Sequence, residues 1–159
     1  MRLAIGSDHR GFRLKQTLMQ HLAAAGHVVA DFGCYDENAV DFTDVAIPLS
    51  QAVAGGEEDF GFLICSNGVG MTVCANKIKG IRAALCHDTF AAQRARQHTN
   101  ANVLCLGAWC IGEGVARDVV DAFLAGEFEG GRHSRRLEKL EALEAHWGEP
   151  TDPAARKDA

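Results

Sequence analysis

Phe60-Gly61-Phe62-Leu63-Ile64-Cys65-Ser66-Asn67-Gly68-Val69-Gly70 is the stretch from which the fold can be read. Residues 60–64 have the length and apolar content of a buried strand. The two glycines then allow a tight turn before residues 71–77, which read as a helix. A thiol at such a junction points into the crevice beyond the carboxyl end of a sheet, where open α/β folds place their ligands. The amides that follow, and the helix dipole, favour negative charge at that point. The stretch therefore predicts a reactive Cys65 beside an anion-stabilising loop.

Working outward, strand-like and helix-like segments alternate. Strands are expected at 2–6, 28–32, 60–64, 81–86 and 103–107. Helices are expected at 12–25, 43–54, 71–77, 89–97 and 112–125, with Asp41 or Thr43 capping the second and Asp88 the fourth. Five β-then-α units imply a parallel sheet covered on both faces by helices, with right-handed crossovers. The strands are nearly continuous apolar runs, as burial on both faces requires. Leu137, Leu140, Leu143 and Trp147 then recur at helical spacing with no strand to follow. This extra C-terminal helix can pack on its own domain or on a second subunit. The expected organisation is one domain over 1–148 and a mobile tail over 149–159, where little is available to bury.

The 159 residues are 47% apolar, enough for a single core, and carry a net charge of −5. That charge argues against general binding to nucleic acid or to a membrane surface, and no run approaches the ~20 apolar residues that span a bilayer. Met1-Arg2-Leu3-Ala4-Ile5-Gly6 leads straight into a strand, so no signal peptide is expected and the cytoplasm is the default compartment. Six cysteines at 34, 65, 74, 86, 105 and 110 form no Cys-x-x-Cys pair, which leaves a zinc or thioredoxin-like site little support. All but Cys65 read as small core hydrophobes.

Four places can carry chemistry. In Gly6-Ser7-Asp8-His9-Arg10-Gly11, Asp8 is either a helix cap or, with His9, faces a polar ligand at the same crevice as Cys65. The glycine spacing there is not that of a dinucleotide site. In the Cys65 loop, Met71 stands where a tyrosine phosphatase needs arginine, and no Gly-Lys-Ser/Thr follows for a Walker loop. His98, in Gln97-His98-Thr99-Asn100, either complements a helix C-terminus or exchanges protons near neutral pH. Lastly, Arg132-His133-Ser134-Arg135-Arg136 concentrates positive charge in an acidic chain. Arg132 and Arg136 are four apart, so two guanidinium forks share one face if the helix has begun, an arrangement suited to phosphate.

Together these places resemble the ribose-5-phosphate isomerase B and galactose-6-phosphate isomerase subunit family. The resemblance rests on Gly6-Ser7-Asp8-His9, Cys65 through Gly70 with Ala75-Asn76-Lys77, and Gly80-Ile81-Arg82-Ala83-Ala84-Leu85-Cys86-His87-Asp88. His98 with Asn100-Ala101-Asn102-Val103-Leu104, and Glu129-Gly130-Gly131-Arg132-His133, complete it in order up to about Trp147. It implies a Rossmann-like three-layer sandwich, a homodimer or homotetramer with a shared active site, and aldose–ketose isomerisation without metal or cofactor. Cys65 would take the proton next to the sugar carbonyl, and His98 would assist ring opening. Asp8, His9 and Thr99 would contact the sugar, and Ser66, Asn67, Gly68, Val69 and Gly70 would hold the enediolate oxygen. Arg132 and Arg136 would bind phosphate, some of these groups coming from the neighbouring subunit.

The implied reaction interconverts D-ribose 5-phosphate and D-ribulose 5-phosphate. Other readings are the same chemistry on a four- or six-carbon sugar, such as erythrose 4-phosphate, allose 6-phosphate or galactose 6-phosphate, and a non-catalytic sugar-phosphate sensor. Asn67, Thr99, Trp109, Phe42-Thr43 and Arg10 depart from the residues usual in the family, which leaves the preferred sugar open.

Overall fold

The structure, a computed structural model, describes residues 1–147; the tail expected to be mobile lies outside the described residues. Five strands, β1 (Arg2–Ser7), β2 (Val28–Asp31), β3 (Phe60–Cys65), β4 (Ala83–Leu85) and β5 (Val103–Gly107), form one sheet. They run parallel in the order β2-β1-β3-β5-β4. Six helices accompany them: α1 (Phe12–Ala24), α2 (Phe42–Ala54), α3 (Val69–Ala75), α4 (Thr89–Thr99), α5 (Glu113–Ala125) and α6 (Ser134–Ala145). This is the Rossmann-like three-layer arrangement with an additional C-terminal helix.

Period-two alternation along the central strands divides the core into two. Leu3, Ile5, Phe62, Ile64, Leu104 and Leu106 point to one face, where Leu14, Leu18 and Leu22 of α1 and Val119, Val120 and Phe123 of α5 cover them. Ala4, Leu63, Cys65, Val103 and Cys105 point to the other, against Val45, Leu49 and Val53 of α2 and Met71 and Ala75 of α3. The order reverses at β1, with β2 added on one side and β3 on the other. Ligands of open α/β sheets bind outside the carboxyl ends at such a reversal. In register, Ser7 lies opposite Ile64 and Cys65 opposite Gly107, so the ends of β1, β3 and β5 stand level there.

Several boundaries differ from the expected ones, each for a local reason. Helix α3 begins at Val69 rather than Met71, because Gly68 at φ +79° is its N-cap and Gly70 lies inside it. Strand β4 pairs only over Ala83–Leu85, although the flanking Ile81 and Cys86 are buried. Asp41 is the N-cap residue of α2 but its side chain makes no capping bond, whereas the Asp88 carboxylate accepts from the Ala91 amide at 2.7 Å. Helix α4 continues to Thr99 and ends on Asn100 in the left-handed region, at φ 47°. Among the described residues no helix is long and apolar enough to cross a membrane.

Candidate active site

Cys65 closes β3 at the carboxyl end of the sheet and is 5% exposed. The Gly68 amide donates to Sγ at 3.0 Å, so an N–H dipole already meets any charge that gathers on sulfur. That aim requires glycine. A β-carbon on Gly68 would run into the Leu85 side chain and lie 3.1 Å from the Leu106 carbonyl, besides the left-handed backbone. The Asn67 side-chain oxygen Oδ1 accepts from the Val69 amide at 3.0 Å and stands 3.9 Å from Sγ. Two amides of the expected anion loop are thus engaged within the loop. Ser66 is half-buried, its carbonyl accepting from the Trp109 amide at 2.9 Å, and Gly70 lies under the Phe42 ring.

The loop after β1 is tied to the same spot. The Asp8 amide donates to the Ile64 carbonyl at 3.1 Å, one residue before Cys65. Asp8 Oδ1 accepts from the amides of Arg10 and Gly11 at 2.9 and 3.0 Å. Asp8 therefore organises the turn into α1, whose N-cap residue is Gly11. The His9 ring lies between the Val40 amide, 3.4 Å from Nδ1, and Arg10 Nε, 3.3 Å from Nε2. On the far side of β3, the Ala108 amide donates to the Cys65 carbonyl at 2.9 Å. The loops after β1, β3 and β5 thus converge on Cys65.

His98 sits elsewhere. It occupies the last turn of α4, and a helix that follows a strand in this fold runs back to the amino end of the sheet. The four residue steps from Val103 to Gly107, at roughly 3.3 Å each, put about 13 Å between that end and the level of Cys65. At the amino end the His98 ring stacks on His133, centroids 4.3 Å apart and planes 10° from parallel. Glu129 Oε2 lies 3.7 Å from Nε2 of both rings, and Arg94 is 3.6 Å from Glu129. Gly130 and Gly131, both with positive φ, turn the chain so that His133 folds back under His98.

Helix α6 starts at Ser134, so Arg132 precedes it and Arg136 lies in its first turn. Both are exposed at this same amino end. Thr99 spends its hydroxyl on the Ala95 carbonyl at 2.6 Å, as helix threonines do. The structure thus assembles the predicted residues into two groups: Asp8, His9, Cys65, Ser66, Asn67, Gly68, Val69 and Gly70 at the carboxyl end, and His98, Thr99, Arg132 and Arg136 at the amino end. Sequence reasoning did not assign roles to Arg94, Glu129 and His133, which surround His98; the run from Glu129 to His133 was the available signal.

Burial, then the adjacent His98 and the guanidiniums of Arg132 and Arg136, hold His133 below the ordinary histidine range, with Glu129 opposing them. Burial pushes the Cys105 thiol up to about 12 and Cys86 up to about 11, and raises Cys74, so these three are core thiols. The donor atoms of His98, Glu129 and His133 lie within 4.8 Å of one another, close enough to hold a cation. Arg94 and Arg132, whose Nε is 3.2 Å from His133 Nε2, already occupy those donors.

Comparison with known proteins places these features among relatives. A family model described as Ribose/Galactose Isomerase matches residues 3–140. The chain is 43% identical to the ribose-5-phosphate isomerase B of Escherichia coli (strain K12), covering 90% of this chain and 96% of that one. It is 44% identical to the D-erythrulose-4-phosphate isomerase of Pectobacterium atrosepticum, covering 87% and 91%. The solved structure of ribose-5-phosphate isomerase B from Clostridium thermocellum superposes with a TM-score of 0.91 at 41% identity, covering 92% of this chain and 99% of that one.

Proposed function

The chain belongs to the ribose/galactose isomerase family, and from that premise we propose that Cys65 is the base of an aldose–ketose isomerisation. The protein is an isomerase that interconverts D-ribose 5-phosphate and D-ribulose 5-phosphate. The observation that supports Cys65 is its sulfur, held at the carboxyl end of β3 with the Gly68 amide 3.0 Å away. As thiolate it takes the hydrogen from C2 of the open-chain aldose, leaving an enediolate across C1 and C2. A proton passes from O2 to O1, and the thiol returns its hydrogen to C1, giving the ketose. With the Gly68 amide on sulfur and the Val69 amide on Asn67 Oδ1, the remaining amides of loop 66–70 are the ones left for the developing oxyanion, at roughly 3–4 kcal/mol per donor in comparable sites.

Ring opening falls to His98, with Thr99 beside it, and phosphate binding to Arg132 and Arg136. Because these stand at the opposite end of the sheet from Cys65 within one chain, a second copy brings them to Cys65, making the enzyme a homodimer or a homotetramer of such pairs. The exposed Leu140 and Leu143 of the last helix and Trp147 just beyond it, beside the half-buried edge strand β4, support such an assembly. All six cysteines are free, which suits the reducing cytoplasm where we place the enzyme.

Cys65→Ala should abolish turnover of ribose 5-phosphate while sugar-phosphate binding by calorimetry stays within about threefold, since no binding contact is removed. Exchange of solvent deuterium into C2 should vanish with it. Undiminished turnover in that variant would remove the assignment. The match to a D-erythrulose-4-phosphate isomerase favours a four-carbon sugar as the second substrate to assay. A higher kcat/KM on that sugar than on ribose 5-phosphate would reassign the physiological substrate.

A further inference from the structure

Arg10 and Trp109 come from loops on opposite sides of β3 and meet above its end. The Arg10 guanidinium carbon lies 4.9 Å from the Trp109 ring centroid. Both backbones are fixed to peptide groups that flank Cys65. Arg10 is held through the Asp8 turn, whose amide binds the Ile64 carbonyl, and Gly11 packs so closely on that carbonyl that a β-carbon would stand 2.7 Å from its oxygen. Trp109 is held by its own amide on Ser66.

The guanidinium is placed but not consumed. Nε faces His9 Nε2 at 3.3 Å, and no carboxylate pairs with Arg10 among the described residues. Its neighbours at this end are otherwise engaged: Arg13 with Glu37 at 2.5 Å and Lys15 with Asp31 at 2.5 Å. The two Nη groups of Arg10 meet no protein acceptor among the described residues. A cleft of about 270 Å³, lined by Arg10, Trp109, Ile111 and Glu113 among others, opens beside them. Trp109 itself is 69% exposed, an uncommon place for an indole unless it serves a contact. A planar fork stacked on an aromatic keeps two parallel N–H groups in one direction, the geometry that phosphate oxygens accept.

We propose that Arg10, held flat by Trp109, grips the phosphate of the substrate from the same subunit that supplies Cys65. This rests on the sugar-phosphate reading above. Because both loops are anchored to the residues on either side of Cys65, the distance from sulfur to guanidinium is fixed by the sheet. The pair therefore measures the sugar from reacting carbon to phosphate and selects for chain length.

The test is titration of inorganic phosphate by calorimetry, alongside kinetics on ribose 5-phosphate and on unphosphorylated ribose. In Arg10→Ala, the phosphate Kd and the KM for ribose 5-phosphate should each rise about tenfold to a hundredfold, with kcat within about threefold. Reaction of unphosphorylated ribose should not change. Arg10→Lys should recover only part of the loss, since the charge remains without the fork, and Trp109→Phe should stay close to wild type. A phosphate Kd within about twofold of wild type in Arg10→Ala would overturn the proposal. The two readings fail separately: loss of phosphate binding in Arg10→Ala of a protein that turns over no sugar phosphate would keep Arg10 and remove the isomerase substrate.

Discussion

Gly68 has a φ of +79° and gives its amide to Cys65 Sγ at 3.0 Å, so its conformation and its chemistry are one property. Alanine there must leave the left-handed region or press on the Leu106 carbonyl, and either movement turns the amide away from sulfur. Gly68→Ala is expected to lower kcat about tenfold or more and to lower the thermal midpoint; unchanged kcat would mean the amide does not serve the thiolate. His133 gives a second expectation at this scale. Burial holds its native ring below the value of 6.5 usual for histidine, so the unfolded chain takes up protons first as pH falls. Stability from this group is complete above about pH 6.5 and is lost as pH drops through the lower native value. The thermal midpoint should decline from pH 7 to pH 5, and less steeply in His133→Gln; equal slopes would exclude His133 as the cause. The place of Cys65, at a strand end beside a glycine turn, was legible in the sequence because its signal is local, an apolar run broken by glycines. Glu129 was not, because only the return of the chain after α5 sets it beside His98 and Arg94.

Among the elements, α1 shows what periodicity alone misses. Leu14, Leu18 and Leu22 mark its apolar stripe, but Lys15 is fully buried as well, its ammonium on Asp31 Oδ1 at 2.5 Å and the Cys34 carbonyl at 2.6 Å. The lysine pins α1 to the end of β2, and a charge in a helical pattern gives no sign of such a partner. Lys15→Met should cost about 3 kcal/mol in urea unfolding, because Asp31 is left with no counter-charge. Adding Asp31→Asn, which can still accept from the Gly33 amide, should restore part of it. A single variant as stable as the double would deny the coupling. The order of strands and helices was readable from alternation, and the parallel sheet with it. Boundaries drifted where a glycine belonged to the helix rather than the turn, as at Gly70, or where buried residues lay beyond the ladder, as at Ile81 and Cys86.

The whole molecule sorts its chemistry to two ends. Cys65 with the Asp8 loop lies at the carboxyl edge of the sheet, while His98, Arg132 and Arg136 lie at the amino edge. That separation was implicit in the sequence, since the helix carrying His98 follows one parallel strand and precedes another, so it has to run backwards. The proposed site, which needs both groups, would therefore form between symmetry-related copies. Cys65→Ala and His98→Ala should each be inactive alone. Unfolded together and refolded, half the dimers are mixed. In a mixed dimer one site carries both substitutions and the other carries neither, so about a quarter of wild-type activity should return. If mixed dimers form, as native mass spectrometry would show, and no activity returns, Cys65 and His98 do not meet across the subunit boundary.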